Sequence, residues 1–331
     1  MSIIKRIKSR NVEVTQTLKG LHDVLEWTNS LEPSHETGDE YWRRWYKNYL
    51  QDSIKKYNVL RSIPYSKGGK FLINNIFMCD PYANAIKKIL EDCYTSDTGV
   101  LRIKNIVLPA PINNNDAWAM AIVIVEVLLD YLLDVNDFDI FDSYEYRNVH
   151  LAEGDIVIGA GSCMGEFAAL CSIKGCTTYA FEPTPHIIET YLSKTAQFNP
   201  RIEVCQFALS NKAGELVFTI DPTYILGAST FLLNKDKKAR ESFKAQAIDL
   251  DTFVEKNKLP KVDFIKADIE GAERYMLMGA RQVLRKYAPK LALSTYHLPD
   301  DPQVLRELII DSNPNYIIEE KWGKLYAYVP R

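Results

Sequence analysis

The 331-residue chain is poor in the features that define several protein classes. Its six cysteines, at 79, 93, 163, 171, 176 and 205, form no CxxC pair and no zinc-ligand spacing. That excludes a zinc ribbon or a disulfide scaffold and fits reduced thiols. Long apolar runs are missing too: the longest, from Trp118 to Leu133, is interrupted by Glu126 and Asp130 and reads as a buried helix, not a membrane span. An excess of one charge is also absent, with 40 Lys and Arg against 43 Asp and Glu, so nothing marks a nucleic-acid partner. The opening MSIIKRIKSR lacks the apolar stretch of a signal peptide, and a cytoplasmic location is expected. What remains is 47% hydrophobic and 25% charged, the composition of a globular protein with ample core for one large domain or two modest ones.

The stretch from Gly154 to Pro183 organises the rest. Ile156-Val157-Ile158 is a short apolar run that enters Gly159-Ala160-Gly161-Ser162-Cys163-Met164-Gly165. A helical pattern with Phe167, Ala168, Leu170 and Cys171 follows, and a second strand, Thr177 to Phe181, ends at Glu182. Strand, glycine-rich turn, helix, strand and acid form the pattern of a nucleotide-binding βαβ unit. Glycines let a backbone approach a ligand closely, and a carboxylate can accept from both hydroxyls of a ribose. The glycine turn alone is a weak signal; joined to the strand-end acid it is a stronger one.

Upstream, residues 1 to about 60 are polar and helical in pattern, with Leu18, Leu21, Val24 and Leu25 on one stripe. Tyr41 to Lys47 interleaves aromatics with basic residues. It is either a contact surface or a helix that packs its rings inward and projects its charges outward. Strands are expected at Phe71–Ile73 and Leu101–Leu108, with a helix between them. Pro109, Pro111 and three asparagines then form a loop before the apolar helix from Trp118. Downstream, Thr184-Pro185 opens a helix, and strands are expected at Ile202–Phe207, Val262–Ala267 and Leu291–Thr295. A hairpin is expected around Glu215–Ile220, and a closing antiparallel pair around Gly323. Alternating β and α units predict a doubly wound, mostly parallel sheet with ligands at the carboxyl ends of its strands. The closing hairpin suits a methyltransferase sheet better than a dehydrogenase.

The succession GDIVIGAGSCMGEF, AFEPTP, ALSNKAGELVF, DLDTF, VDFIKADIEGAE and LALSTYH resembles the FkbM-type methyltransferases over roughly residues 143–330. The resemblance implies a seven-stranded Rossmann-like domain over 141–331, behind a mainly helical accessory region over 1–140. It also implies S-adenosylmethionine as cofactor, O-methylation of a sugar or secondary-metabolite hydroxyl as chemistry, and a small-molecule or glycan acceptor. No nucleic acid or membrane insertion is implied, and a homo-oligomer through the N-terminal region is compatible with the sequence. Two positions depart from the family pattern: Gly159 replaces its usual Asp, and Cys163 its usual Asn. Loss of that acid should weaken cofactor binding by ~1.5–3 kcal/mol, the value of a hydrogen bond to a charged group. A non-catalytic relative serving as a binding module is therefore the competing reading, and an oxidoreductase fits the glycine spacing poorly.

On this resemblance, Gly159, Ala160, Gly161 and Ser162 line the cofactor, Glu182 holds its ribose, and Ala208 sits beside the adenine. Gly165 serves packing. Asp268 and Glu270, after the fourth strand, lie where sulfonium and acceptor meet; Asp268 counts for both cofactor and catalysis, whereas Glu270 has a second reading as a helix cap. His297 titrates in the range a general base needs and ends the next strand, although it could instead pair structurally with a carboxylate. Asp268, Glu270 and His297 have donor types that suit a divalent ion, but their spacing defines no site and no metal is expected.

Overall fold

The computed structural model describes residues 95–97, 99–112, 120, 123, 127, 128, 131, 143–220, 229–230, 241–321 and 323–330. Two units divide the chain, Met1–Tyr94 and Thr95–Arg331, and every described residue lies in the second. The helical N-terminal region, its aromatic and basic segment and the strand at Phe71–Ile73 lie outside the described residues. Among those residues, no helix is long and apolar enough to cross a membrane.

The unit begins with a small antiparallel sheet of β1 (Thr95–Asp97), β2 (Val100–Ile103) and β3 (Ile106–Pro109). The single strand expected over Leu101–Leu108 is thus two strands, because Lys104 takes a left-handed φ of 51° and turns the chain back at Asn105. Asn199 ties this sheet to the rest by donating to the Val107 carbonyl at 3.0 Å.

The βαβ unit predicted from the glycine turn is present. Strand β4 (Ile156–Ala160) leads into helix α1 (Glu166–Ile173) and then β5 (Thr177–Phe181). Helical run α2 covers 185–198, with a π turn at Ile188–Leu192, and Pro185 occupies its first position behind Thr184. After β6 (Ile202–Cys205) comes a second small sheet of β7 (Ala208–Leu209), β8 (Gly214–Ile220), β9 (Ser229–Thr230) and β10 (Glu241–Ile248). The hairpin partner of β8 is β10, paired from Ile220–Glu241 to Gly214–Ala247. Helix α3 (Leu250–Lys256) is capped by Asp249, whose Oδ1 accepts from the Thr252 amide at 2.8 Å, as an N-cap acid should.

Strand β11 (Phe264–Ala267) precedes helices α4 (Glu273–Met278) and α5 (Arg281–Tyr287). They break at Gly279, where a Cβ would lie 2.2 Å from the Ser210 carbonyl oxygen. Strand β12 (Lys290–Ser294), helix α6 (Asp301–Ser312) and the antiparallel pair β13 (Ile317–Lys321) and β14 (Lys324–Tyr328) complete the unit. The main sheet has seven strands in the order β13-β14-β12-β11-β4-β5-β6, mostly parallel, as the alternating pattern predicts.

Period-two alternation covers both faces. Ile158 and Ala160 of β4 join Ile265 and Ala267 of β11 in a large core with Leu250, Met276, Leu284 and Leu305. The opposite face packs Ala168, Ala180, Ile188, Leu192 and Ile202 together, and Phe167 of α1 meets Phe264 of β11 at 6.0 Å between ring centres. From β4 the chain winds one way through β5 and β6, then returns to the other side of β4 with β11. That reversal opens a crevice beyond the carboxyl ends of β4 and β11, the place where such sheets bind ligands.

Candidate active site

Register brings the glycine turn and the acidic turn together. Ala160 pairs with Ala267 at the ends of β4 and β11, and the Asp268 amide donates to the Ala160 carbonyl at 3.2 Å. Gly161, with φ of 69°, passes so close that a Cβ there would stand 2.0 Å from the Asp268 carbonyl oxygen. The bare Cα is thus required by protein backbone, a reason distinct from the ligand approach expected of it. Gly165, with φ of 90°, faces Leu192 and Thr195, each 2.9 Å from a would-be Cβ, so its packing role is toward helix α2. Ser162 donates to the Gly159 carbonyl at 2.7 Å, which closes the loop on itself.

Lys266 underlies this loop. No motif singles it out, yet it is 4% exposed and its Nζ donates to the Gly161 carbonyl at 2.6 Å. Glu182 is also buried. Its Oε2 accepts from the Cys163 amide at 3.1 Å and its Oε1 from the Thr184 amide at 3.0 Å. Burial, opposed by those bonds, raises its pKa. A carboxylate has about four lone-pair directions, and the Thr184 side chain also bonds to Glu182, so capacity for one further donor remains. Cys163 adopts φ of 47°, and burial first, then Glu166 and Glu182, push its thiol well above the ordinary range. It is an inert thiol. Ala208 is buried with Phe218, Ala245 and Ala247 in the small second sheet.

The second half of the site stands on β11, β12 and the turn between β11 and α4. Asp268 accepts from Tyr144 at 2.8 Å and from Tyr296 at 3.1 Å. His297 Nε2 lies 3.4 Å from Asp268 Oδ1 and 3.5 Å from Glu270 Oε2, and its Nδ1 lies 3.4 Å from Glu273 Oε1. Glu273 Oε1 also accepts from the Ile269 amide at 2.7 Å, which fits the structural role expected of Glu273. The contact between Nδ1 and Glu273 is ionic, since that nitrogen has no hydrogen-bond partner. Glu270 holds a left-handed φ of 57°, a conformation that costs a non-glycine residue on the order of 1 kcal/mol and recurs at functional sites.

These contacts separate the charges. Burial opposes the ionised form of Asp268, but His297, Lys266 and the Tyr144 hydrogen bond outweigh it and hold the carboxyl at about 2. Burial lifts Glu270 to about 7, with His297 opposing and Asp268 adding to the rise. Burial disfavours the charged imidazole too, yet Glu273, Asp268 and Glu270 overcome it and raise His297 to about 9. Ligand-type atoms of Asp268, Glu273 and His297 lie within 4.8 Å of one another. Asp268 and Glu273, however, approach opposite nitrogens of the ring, which makes an ion-pair cluster rather than one coordination sphere.

Sequence reasoning found Asp268, Glu270 and His297, and the structure brings all three together. It missed Lys266, Tyr144 and Glu166. Lys266 reads as an ordinary strand residue, and only the interruption of an apolar strand by one lysine could have drawn notice. Tyr144 arrives from more than 120 residues upstream of Asp268. Lys266 and Lys324 each place an ammonium 4.9 Å from its ring centre.

The sheet order is that of a doubly wound α/β domain with acids at the ends of its central strands. A family model described as the methyltransferase FkbM domain matches residues 155–324, just over half the chain, and the chain belongs to that family. A hexuronic acid methyltransferase, AglP, of Haloferax volcanii is 25% identical over 160 residues, covering 48% of this chain and 63% of the relative. This chain thus spans less than two thirds of that relative's length. A crystal structure of a methyltransferase FkbM from Methylobacillus flagellatus matches with a TM-score of 0.41 and 20% identity, over 66% of this chain and 56% of the other. An S-adenosylmethionine-dependent methyltransferase from Aquifex aeolicus matches with a TM-score of 0.33 and 14% identity, over 55% of this chain and 86% of the other.

Proposed function

We propose that the protein is an S-adenosylmethionine-dependent O-methyltransferase acting on a hydroxyl of a sugar or secondary metabolite, with 141–331 as its catalytic domain. The observation that carries this reading is the separation of three neighbouring charges, Asp268, Glu270 and His297, at the strand ends of an FkbM-family domain. The residues present fit the cofactor: Glu182 keeps capacity for one further donor, such as a ribose hydroxyl, beside the glycine loop. When bound, the cofactor supplies an electrophilic methyl group on a sulfonium.

The acceptor hydroxyl must lose its proton as the new bond forms, and a base works best with a pKa near the operating pH. His297, at about 9, is an imidazolium at neutral pH and cannot accept that proton. The role passes to Glu270, at about 7. Paired groups pushed apart in pKa mark the division of acid and base labour. His297 then orients the Glu270 and Asp268 carboxylates, while Tyr144 and Tyr296 fix Asp268. A sugar acceptor draws support from the hexuronic acid methyltransferase relative, and uronic acids join sugars, nucleotide sugars and polyols in the panel to be tested.

Release of S-adenosylhomocysteine from that panel is the assay. With Glu270 as base, the rate rises through about pH 7 and then levels, and Glu270→Gln lowers turnover about 10²- to 10⁴-fold. With His297 as base, the rate keeps rising toward pH 9. A parent protein that binds no S-adenosylhomocysteine in calorimetry overturns the reading outright.

A further inference from the structure

Glu166 opens helix α1 immediately after the glycine loop. Its side chain is 2% exposed, and Oε2 has no hydrogen-bond partner. Leaving one oxygen of a buried carboxylate unpaired is costly, and its neighbours on α1, Phe167, Ala168 and Leu170, are apolar. Three charged groups of the site act on Glu166. Lys266 favours its ionised form, while Asp268 and Glu182 oppose it. Lys266, the nearby cation, already directs its ammonium to the Gly161 and Ala160 carbonyls. A buried carboxylate directly after the glycine loop is thus left with one oxygen that accepts from no donor.

Gly159 supplies the other half of the argument. It stands where a family member usually carries Asp, and a Cβ there would meet Ser162 Oγ at 3.0 Å, a tight contact with a hydroxyl that is bound to the Gly159 carbonyl. The first strand thus ends without an acid, and a different carboxylate lies buried one loop later.

We propose that Glu166 is a cofactor-binding residue whose Oε2 accepts a hydrogen bond from the α-ammonium group of the cofactor's methionine portion. This deepens the methyltransferase reading and rests on it. The ligand chemistry is that of a primary ammonium, so Oε2 gains the donor it lacks. Burial raises Glu166 to about 7, with Lys266 opposing and Asp268 and Glu182 adding, so a fraction of the free protein carries it protonated at neutral pH. An ammonium would recover the anion and expel that proton.

Calorimetry on the full-length chain tests this with two ligands. S-adenosylhomocysteine carries the ammonium, and 5′-methylthioadenosine keeps the nucleoside and sulfur without it. Glu166→Gln should weaken S-adenosylhomocysteine at least tenfold and leave 5′-methylthioadenosine within about twofold. The unliganded variant should melt no lower than the parent, because the amide removes a buried charge; a purely structural Glu166 would lower the melting temperature instead. Equal weakening of both ligands, or unchanged affinity for S-adenosylhomocysteine, overturns the proposal while leaving the methyltransferase reading intact. Failure of the parent to bind either ligand sinks both.

Discussion

The two halves of the site contain similar acids in different company. On the loop side, Glu166 and Glu182 are buried with backbone amides and one lysine, and burial raises both. On the strand-end side, Asp268, Glu270 and Glu273 surround His297, which the acids turn into a resident cation. The contrast separates two tasks. On the loop side a single cation, Lys266, acts on two buried carboxylates, and its ammonium is directed to backbone carbonyls. A region with an internal imidazolium has already satisfied its charges and can hold acids at different protonation states side by side. Asp268 at about 2 and Glu270 at about 7 are two residues apart, so sequence spacing alone would treat them alike.

The largest effect should come from forcing the halves apart. Gly161→Ala puts a Cβ 2.0 Å from the Asp268 carbonyl oxygen, on a residue whose φ already favours glycine. The glycine loop and the end of β11 would have to separate, at a cost of several kcal/mol. Calorimetry should show no S-adenosylhomocysteine binding, and thermal melting should fall by ten degrees or more. A variant that melts and binds like the parent would show that the two turns are not held in contact. Glu182→Ala is smaller in reach and confined to the loop side. It removes the acceptor for the Cys163 and Thr184 amides and should weaken S-adenosylhomocysteine at least tenfold, while the pH dependence of turnover stays where Glu270 sets it. A shifted pH profile would join the two halves that the comparison separates.

The fold and the strand-end residues were legible because local pattern encodes them. Apolar runs of four to five residues, glycine punctuation and strand-end acids each fit in a short window, and β4, β5, β11 and β12 appear where the pattern places them. An error arose where one residue decided a turn, at Lys104 between β2 and β3. The roles within the site were harder. His297 looked like a base because an isolated imidazole titrates near neutrality; three carboxylates brought together by separate turns change that, and their approach is a property of the fold. Tyr144 and Lys266 act on Asp268 and on the glycine loop from places no motif joins. Glu166 was invisible for the opposite reason: an acid after a helix-opening glycine is ordinary at a solvated N-terminus, and only its burial makes it notable.

The smallest expected effect separates the halves by pH, without any ligand. Glu166, Glu270 and His297 each hold a proton more tightly folded than unfolded, so stability should fall with rising pH, the two carboxyls in one window and the imidazole in another. Glu166 faces Lys266, Asp268, Glu182 and Cys163, and its pKa rises from 4.5 to about 7; the native state binds the extra proton between those values, and stability is lost as pH climbs through them. Glu270 moves over the same range, so Glu166→Gln should remove only part of that loss. His297 faces Asp268, Glu270 and Glu273, and its pKa rises from 6.5 to about 9. Its contribution is complete below 6.5 and disappears as pH passes through 9. Melting curves from pH 5 to pH 10 should therefore decline in two stages, each worth on the order of 1–3 kcal/mol. His297→Gln should remove the upper stage and, by taking a cation from beside Glu270, move part of the lower stage to higher pH, whereas Glu166→Gln should shrink the lower and leave the upper. If one substitution erased both stages, the loop and strand-end acids would titrate as a single cluster, and the division of tasks drawn between them would fail.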